Sequence, residues 1–152
     1  MLDYCAMNKP EYIIIHHSAT ADGTLSDWEA IRKYHMQVKG FQDVAYNWGI
    51  DRIQGKPIIQ RGRPEAEVGA HALGFNAQSV GICIVGTYDV MPLEDDKREL
   101  LYWLIRDIRG RYSIPTAHII GHRETYPLRG VPVEKSCPGK LVDLAKIRID
   151  LA

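Results

Sequence analysis

The chain has 152 residues, 45% hydrophobic and 25% charged, and its 19 Lys plus Arg balance 19 Asp plus Glu for a formal net charge of zero. That length suits one domain able to bury roughly 70% of its unfolded surface without staples, and the balanced charge lacks the basic excess of a nucleic-acid binder, so no nucleic-acid partner is expected. No stretch approaches the ~18 apolar residues of a membrane span, and the start, "MLDYCAMNKPEY", carries no basic-then-apolar export signal. Three widely spaced cysteines make no disulfide framework, so the expected compartment is the reducing cytoplasm of the producing cell.

Residues 1–10 read as a loose leader and 11–152 as the single domain. Residues 11–16 are β-branched and aromatic, a short buried strand ending at His16-His17. "SDWE" at 26–29 has the form of a capping box, with Ser26 as cap and Glu29 reaching back to it. Behind it Trp28, Ile31, His35 and Val38 recur at helical spacing until Gly40. "VAYNWGI" (44–50) and "PIIQ" (57–60) form strands of a hairpin across "QGK", and "VGICIVG" (80–86) is a central strand bounded by glycines. The longest helix runs from Leu93 to Tyr112, with Leu101, Leu104, Ile105, Ile108 and Tyr112 as its apolar stripe. "AHIIGH" (117–122) follows Pro115 and reads as a strand; a Pro- and Gly-rich loop (126–139) then leads to a last helix from about Leu141. Helices interleaved with strands and one hairpin define an α/β fold with a mixed central sheet flanked by helices.

Six histidines and three cysteines raise the question of a metal. His118 and His122 are four apart, which on a strand separates them by roughly 13 Å, too far for one ion with bonds of about 2.0–2.3 Å. His118 is therefore read as a hydrogen-bonded structural residue. His122 ends its strand where a loop begins, as does one of the adjacent pair His16 and His17, whose side chains must point to opposite faces. Cys137, in the loop "KSCPG" beside Lys135, has no evident packing role. Two strand-end imidazoles and a loop thiolate would make three ligands and leave a fourth zinc position open, the pattern of a catalytic site; the alternatives are a buried histidine and an incidental surface cysteine. Cys83, inside an apolar run, reads as a small core residue.

In this order, "IIIHHSAT", "VAYNWGI", "EVGAHALGFNAQSVGICIVGTYD", "IIGHRE" and "KSCPG" resemble the zinc-dependent N-acetylmuramoyl-L-alanine amidases, the group that includes amidase-type phage lysozymes and the peptidoglycan recognition proteins. The likeness spans roughly residues 11–140. It implies a single Zn2+ held by His16, His122 and Cys137, with His17 on the opposite face. It further implies that Tyr46 and Lys135 act beside the metal, Tyr46 on the attacking water or oxyanion and Lys135 on the oxyanion. His71 and Asn76 fall in a family block at the wall of the substrate groove, and Arg61 and Arg63 are candidates to meet stem-peptide carboxylates. The implied reaction cleaves the amide between N-acetylmuramic acid and L-alanine, with peptidoglycan as partner and a monomer with no obligate protein partner expected.

The expected setting is a phage or prophage endolysin that acts on the cell wall after release. The alternatives are a cytoplasmic enzyme recycling anhydro-muropeptides and a recognition module that binds without cutting. The resemblance associates the first alternative with an aspartate as third ligand and a carboxylate in the central strand, where this chain has Cys137 and Cys83. It associates the second with loss of the ligand cysteine.

Overall fold

A computed structural model describes residues 8–20 and 27–152. Five strands, β1 (Tyr12–His17), β2 (Trp48–Ile53), β3 (Lys56–Arg61), β4 (Ser79–Ile84) and β5 (Ile119–Gly121), form one sheet in the order β3-β2-β4-β1-β5. β1 pairs in parallel with β4 and β5, β2 in parallel with β4, and only the β2–β3 hairpin is antiparallel. The helices are α1 (Asp27–Gln37), α2 (Asp95–Tyr112), α3 (His122–Leu128) and α4 (Leu144–Leu151). The expected α/β fold with a mixed sheet is therefore present. Among the described residues, no helix is long and apolar enough to cross a membrane.

Strand alternation distributes the apolar residues between two faces. Ile13, Ile15, Val80, Ile82 and Ile84 face α2 and α4, meeting Leu101, Leu104, Ile105 and Ile108 from the first helix and Leu144, Ile147 and Leu151 from the second. The other face carries Ile14 against Phe75 and Ile120, and Cys83 against Trp28, Val44 and Val85. Cys83 is thus a buried core residue, as its apolar neighbours suggest. His16, two residues after Ile14, shares this second face.

The hairpin turn is Gln54-Gly55, both with positive φ (51° and 77°), which matches the right-handed twist of the flanking strands. Several boundaries differ from the sequence reading, each for a local reason. Val44–Asn47 is not strand: the Asn47 side chain accepts from the Gly81 amide (2.9 Å) and donates to the carbonyls of Arg63 and Pro64 (both 3.2 Å), replacing a ladder by side-chain bonds. α1 ends at Gln37, so Val38 lies beyond the helix and is 68% exposed rather than on its buried stripe; Gly40, with φ 74°, closes the turn. Ser26 lies outside the described residues. α2 begins at Asp95 because Glu94 is extended, with Asp95 and Asp96 in the dipole-favoured first turn. α4 starts at Leu144, where Asp143 Oδ1 accepts from the Lys146 amide (2.9 Å) as an N-cap.

The segment 116–128 changes most. Thr116–His118 is a 3-10 turn, β5 is only three residues long, and His122 opens α3 instead of a loop. Gly121 is extended (φ −90°, ψ 159°) and its amide donates to Glu124 Oε1 (2.9 Å), three residues on. That reciprocal half of a capping box starts the helix at His122, and the expected loop from 126 begins only after Leu128. Of the expected leader, residues 8–10 are tied down: Asn8 is buried and its Nδ2 donates to the carbonyls of Ser79 (2.7 Å) and Glu65 (3.0 Å).

Candidate metal centre

β1 presents Ile14 and His16 to the second face, and His17 to the first, where its Nδ1 accepts the Tyr88 amide (3.1 Å). His16 is 2% exposed. One strand away, β5 ends at Gly121 and delivers His122 at the first position of α3, its ring centroid 4.8 Å from that of His16. Cys137 approaches from the loop before α4, with Sγ 3.5 Å from His16 Nδ1. One ligand atom from each of the three lies within 4.8 Å of the others, the one such trio of His, Cys or acidic groups among the described residues. His118 is not part of it: its Nδ1 bonds the Glu11 carbonyl (2.8 Å) and its ring stacks on Tyr12 at 4.2 Å.

Two borderline-soft imidazole nitrogens and one sulfur, all within 4.8 Å of one another, suit Zn2+. The sulfur is 3.5 Å from His16 Nδ1, inside the roughly 3.3–3.8 Å edge of a tetrahedron with bonds of about 2.0–2.3 Å. Three protein donors leave one position open. The residues present therefore fit that ion.

The Cys137 loop is held by side chains that the sequence did not single out. Arg123, next to His122, donates to the carbonyls of Ser136 (3.2 Å), Gly139 (2.6 Å) and Val142 (2.7 Å), while its amide donates to the Cys137 carbonyl (2.7 Å). From the other side, Asp89 accepts from Ser136 Oγ (2.9 Å) and the Lys140 amide (2.8 Å). One residue pair, His122-Arg123, thus supplies both a candidate ligand and the clamp on another.

Burial sets the protonation of the trio. It holds His16 well below the usual imidazole range, reinforced by His71 and His122, and brings His122 down to about 4, with Lys135 and Arg129 adding to the effect. Burial also pushes the Cys137 thiol up to about 11, against the opposing pull of the His17 backbone amide and Lys135. Near neutrality the imidazoles are ready ligands and the thiol still carries its proton. Near pH 6 zinc loading is therefore expected to release close to one proton per chain, and affinity to rise roughly tenfold per pH unit between about pH 5 and pH 6.5, because there only the thiol must ionise. Below about pH 4 the slope steepens as His122 competes. Calorimetric titration in buffers of different ionisation enthalpy measures the proton count; release of none, or of two, would contradict this assignment.

The trio lies in a cleft of about 510 Å³ whose walls include Tyr46, His71, Glu134 and Lys135. The Tyr46 ring sits 5.0 Å from His16. Burial, with the thiols of Cys83 and Cys137 adjacent, raises its phenol well above the usual range, so it stays a proton donor. Lys135 is exposed at the rim. Asn76 serves the His71 loop, its Oδ1 accepting from the amides of His71 and Ala72 (both 2.8 Å). The structure does not bring Arg61 or Arg63 to this cleft. Arg61 is exposed at the end of β3, and Arg63 donates inward to the carbonyls of Val44 (2.8 Å) and Val68 (2.9 Å), so its guanidinium braces the loops around β2.

An α/β sheet in which β1 and the β5–α3 junction bring His16 and His122 to the loop residue Cys137 defines a candidate metal-binding trio at one end of the sheet. The chain belongs to the N-acetylmuramoyl-L-alanine amidase family, whose model matches residues 6–140. It is 30% identical over 129 residues to the endolysin of Enterobacteria phage K11, covering 82% of this chain and 77% of that protein. It is 31% identical over 123 residues to peptidoglycan-recognition protein SC2 of Drosophila melanogaster, covering 77% of this chain and 65% of that protein, so it spans slightly under two thirds of that relative's length. Among solved structures, N-acetylmuramoyl-L-alanine amidase LysC from Clostridium intestinale superposes with a TM-score of 0.77 at 28% identity, covering 95% of this chain and 86% of that one.

Proposed function

We propose that the chain is a zinc-dependent N-acetylmuramoyl-L-alanine amidase that cleaves the amide between N-acetylmuramic acid and L-alanine in bacterial peptidoglycan, acting as a phage or prophage endolysin. The observation that carries this reading is the convergence of His16, His122 and Cys137 within 4.8 Å, at the floor of a cleft walled by Tyr46 and Lys135. Similarity to the endolysin of Enterobacteria phage K11 over 77% of its length supports the lytic setting. His16, His122 and Cys137 would hold the ion, which when bound supplies a Lewis acid for the amide carbonyl and lowers the pKa of solvent toward neutrality.

The remaining work falls to this chain's own side chains. Tyr46, kept protonated by burial, donates a hydrogen bond to the attacking water or the carbonyl oxygen. Lys135 places a positive charge where the oxyanion develops. His71 forms the wall behind His16. The floor keeps His16 and Cys137 buried and His122 partly open to the cleft, while the exposed rim admits a polymeric substrate.

The test is incubation of the purified chain with intact sacculi and with soluble anhydro-muropeptides, with and without chelator, followed by assay of freed L-alanine amino groups. Chelator-sensitive release from sacculi is the expected result. Release from the soluble fragment alone would replace the lytic reading by recycling, and binding without release under zinc-replete conditions would replace it by recognition.

A further inference from the structure

Behind the candidate ligand His16 lies a chain of hydrogen bonds whose direction is set by its far end. The Phe75 carbonyl can only accept, so the Ser79 hydroxyl gives it its single proton (2.7 Å). Ser79 Oγ must then accept from His71 Nε2, 3.3 Å away, which places the proton of a neutral His71 on Nε2. His71 Nδ1 consequently presents a lone pair to His16 Nε2 at 2.8 Å, and His16 must donate there. A neutral His16 with its proton on Nε2 has its free lone pair on Nδ1, the atom that lies 3.5 Å from Cys137 Sγ. The direction of every bond follows from one carbonyl, without reference to any ion.

The His71 ring is also held in place sterically. A Cβ on Gly81 would come within 2.8 Å of three His71 ring atoms, and one on Gly69 within 2.6 Å of its Cδ2. Asn76 fixes the backbone on either side of the ring through the His71 and Ala72 amides. His71 is 7% exposed. A ring gripped between two glycines, anchored at its backbone and bonded at both nitrogens has little freedom to turn.

We infer that His71 is a positioning residue that selects the Nε2-protonated tautomer of His16 and aims its Nδ1 lone pair at the metal position. Ser79 and the Phe75 carbonyl set the polarity of the relay. This rests on the reading of His16 as a ligand, and assigns His71 a task separate from the groove-wall role expected of it. A histidine ligand that donates its second nitrogen to a fixed acceptor is both oriented and made more basic.

Two measurements on the full chain test it. Long-range proton–nitrogen correlation spectra of the wild-type protein, with and without zinc, should show both His16 and His71 protonated at Nε2. A chromophoric-chelator competition should then find zinc affinity lowered about 10- to 100-fold in His71→Phe, which keeps a ring but removes the acceptor. In His71→Asn, the side-chain oxygen stands where Nδ1 stood, so affinity should stay within about threefold of wild type. An Nδ1-protonated His16, an undiminished affinity in His71→Phe, or equal losses in both variants would each overturn the inference. The spectra decide the matter even if His71→Phe does not fold. A wild-type chain that binds zinc and shows the expected tautomers but releases nothing from sacculi or muropeptides would overturn the amidase reading alone.

Discussion

Replacing Cys137 by serine is expected to abolish amide hydrolysis and to weaken zinc binding by more than about 100-fold, since loss of even an outer-shell partner costs 10- to 100-fold. A serine hydroxyl does not ionise near neutrality, and its oxygen reaches less far than sulfur. The thiol, although pushed up to about 11 by burial, is a ligand the ion can deprotonate. The loop should survive the change because Arg123 and Asp89 hold it through backbone carbonyls, Ser136 and the Lys140 amide, none of which involves Sγ. The melting temperature without zinc should therefore be near wild type, while the stabilisation normally gained on adding zinc disappears. Cys137→Asp restores an anionic donor of a type zinc accepts, and should recover part of the affinity. A serine variant that keeps one tightly held zinc and normal turnover would remove the sulfur from the ligand set.

The fold was legible where local chemistry and tertiary context agree. The stripe from Leu101 to Ile108, the Gln54-Gly55 hairpin and the glycine-bounded central strand all appear where residue type places them. The sheet face used by the site was not legible from periodicity, because three consecutive isoleucines leave β1 without an apolar–polar alternation. Only resemblance separated His16 from His17, and the parity of Ile14 and His16 agrees with it. The strand expected through His122 gave way to a helix because Glu124 caps Gly121, a signal present in "GHRE" but overshadowed by the β-branched pair before it. Arg123 and Asp89 left little trace because their partners are largely backbone groups of a loop distant in sequence, and carbonyls carry no residue type. The same holds for His71: its task depends on a histidine 55 positions earlier in the chain, a pairing no local pattern encodes. Arg61 and Arg63 illustrate the converse, since a basic cluster suggested a ligand that the folded chain keeps away from the cleft.

Lys135→Ala should separate binding of the ion from turnover. The lysine stands at the rim of the cleft, close enough to oppose protonation of both His16 and His122 and to favour the Cys137 thiolate. Its charge repels a divalent cation, but it also eases ionisation of the thiol. These effects oppose one another, so zinc affinity should change by no more than about threefold when the ammonium is removed. Turnover has no such compensation. If the ammonium meets the oxyanion as it forms, its loss should lower kcat about 10²- to 10³-fold, the range found for removal of one oxyanion donor. KM should change little, because a contact made only in the transition state leaves ground-state binding intact. Lys135→Arg, which keeps the charge but spreads it over a larger head, should fall between the two. A raised KM with unchanged kcat would recast Lys135 as a substrate-carboxylate contact, and wild-type kinetics in Lys135→Ala would reduce it to a solvated loop charge.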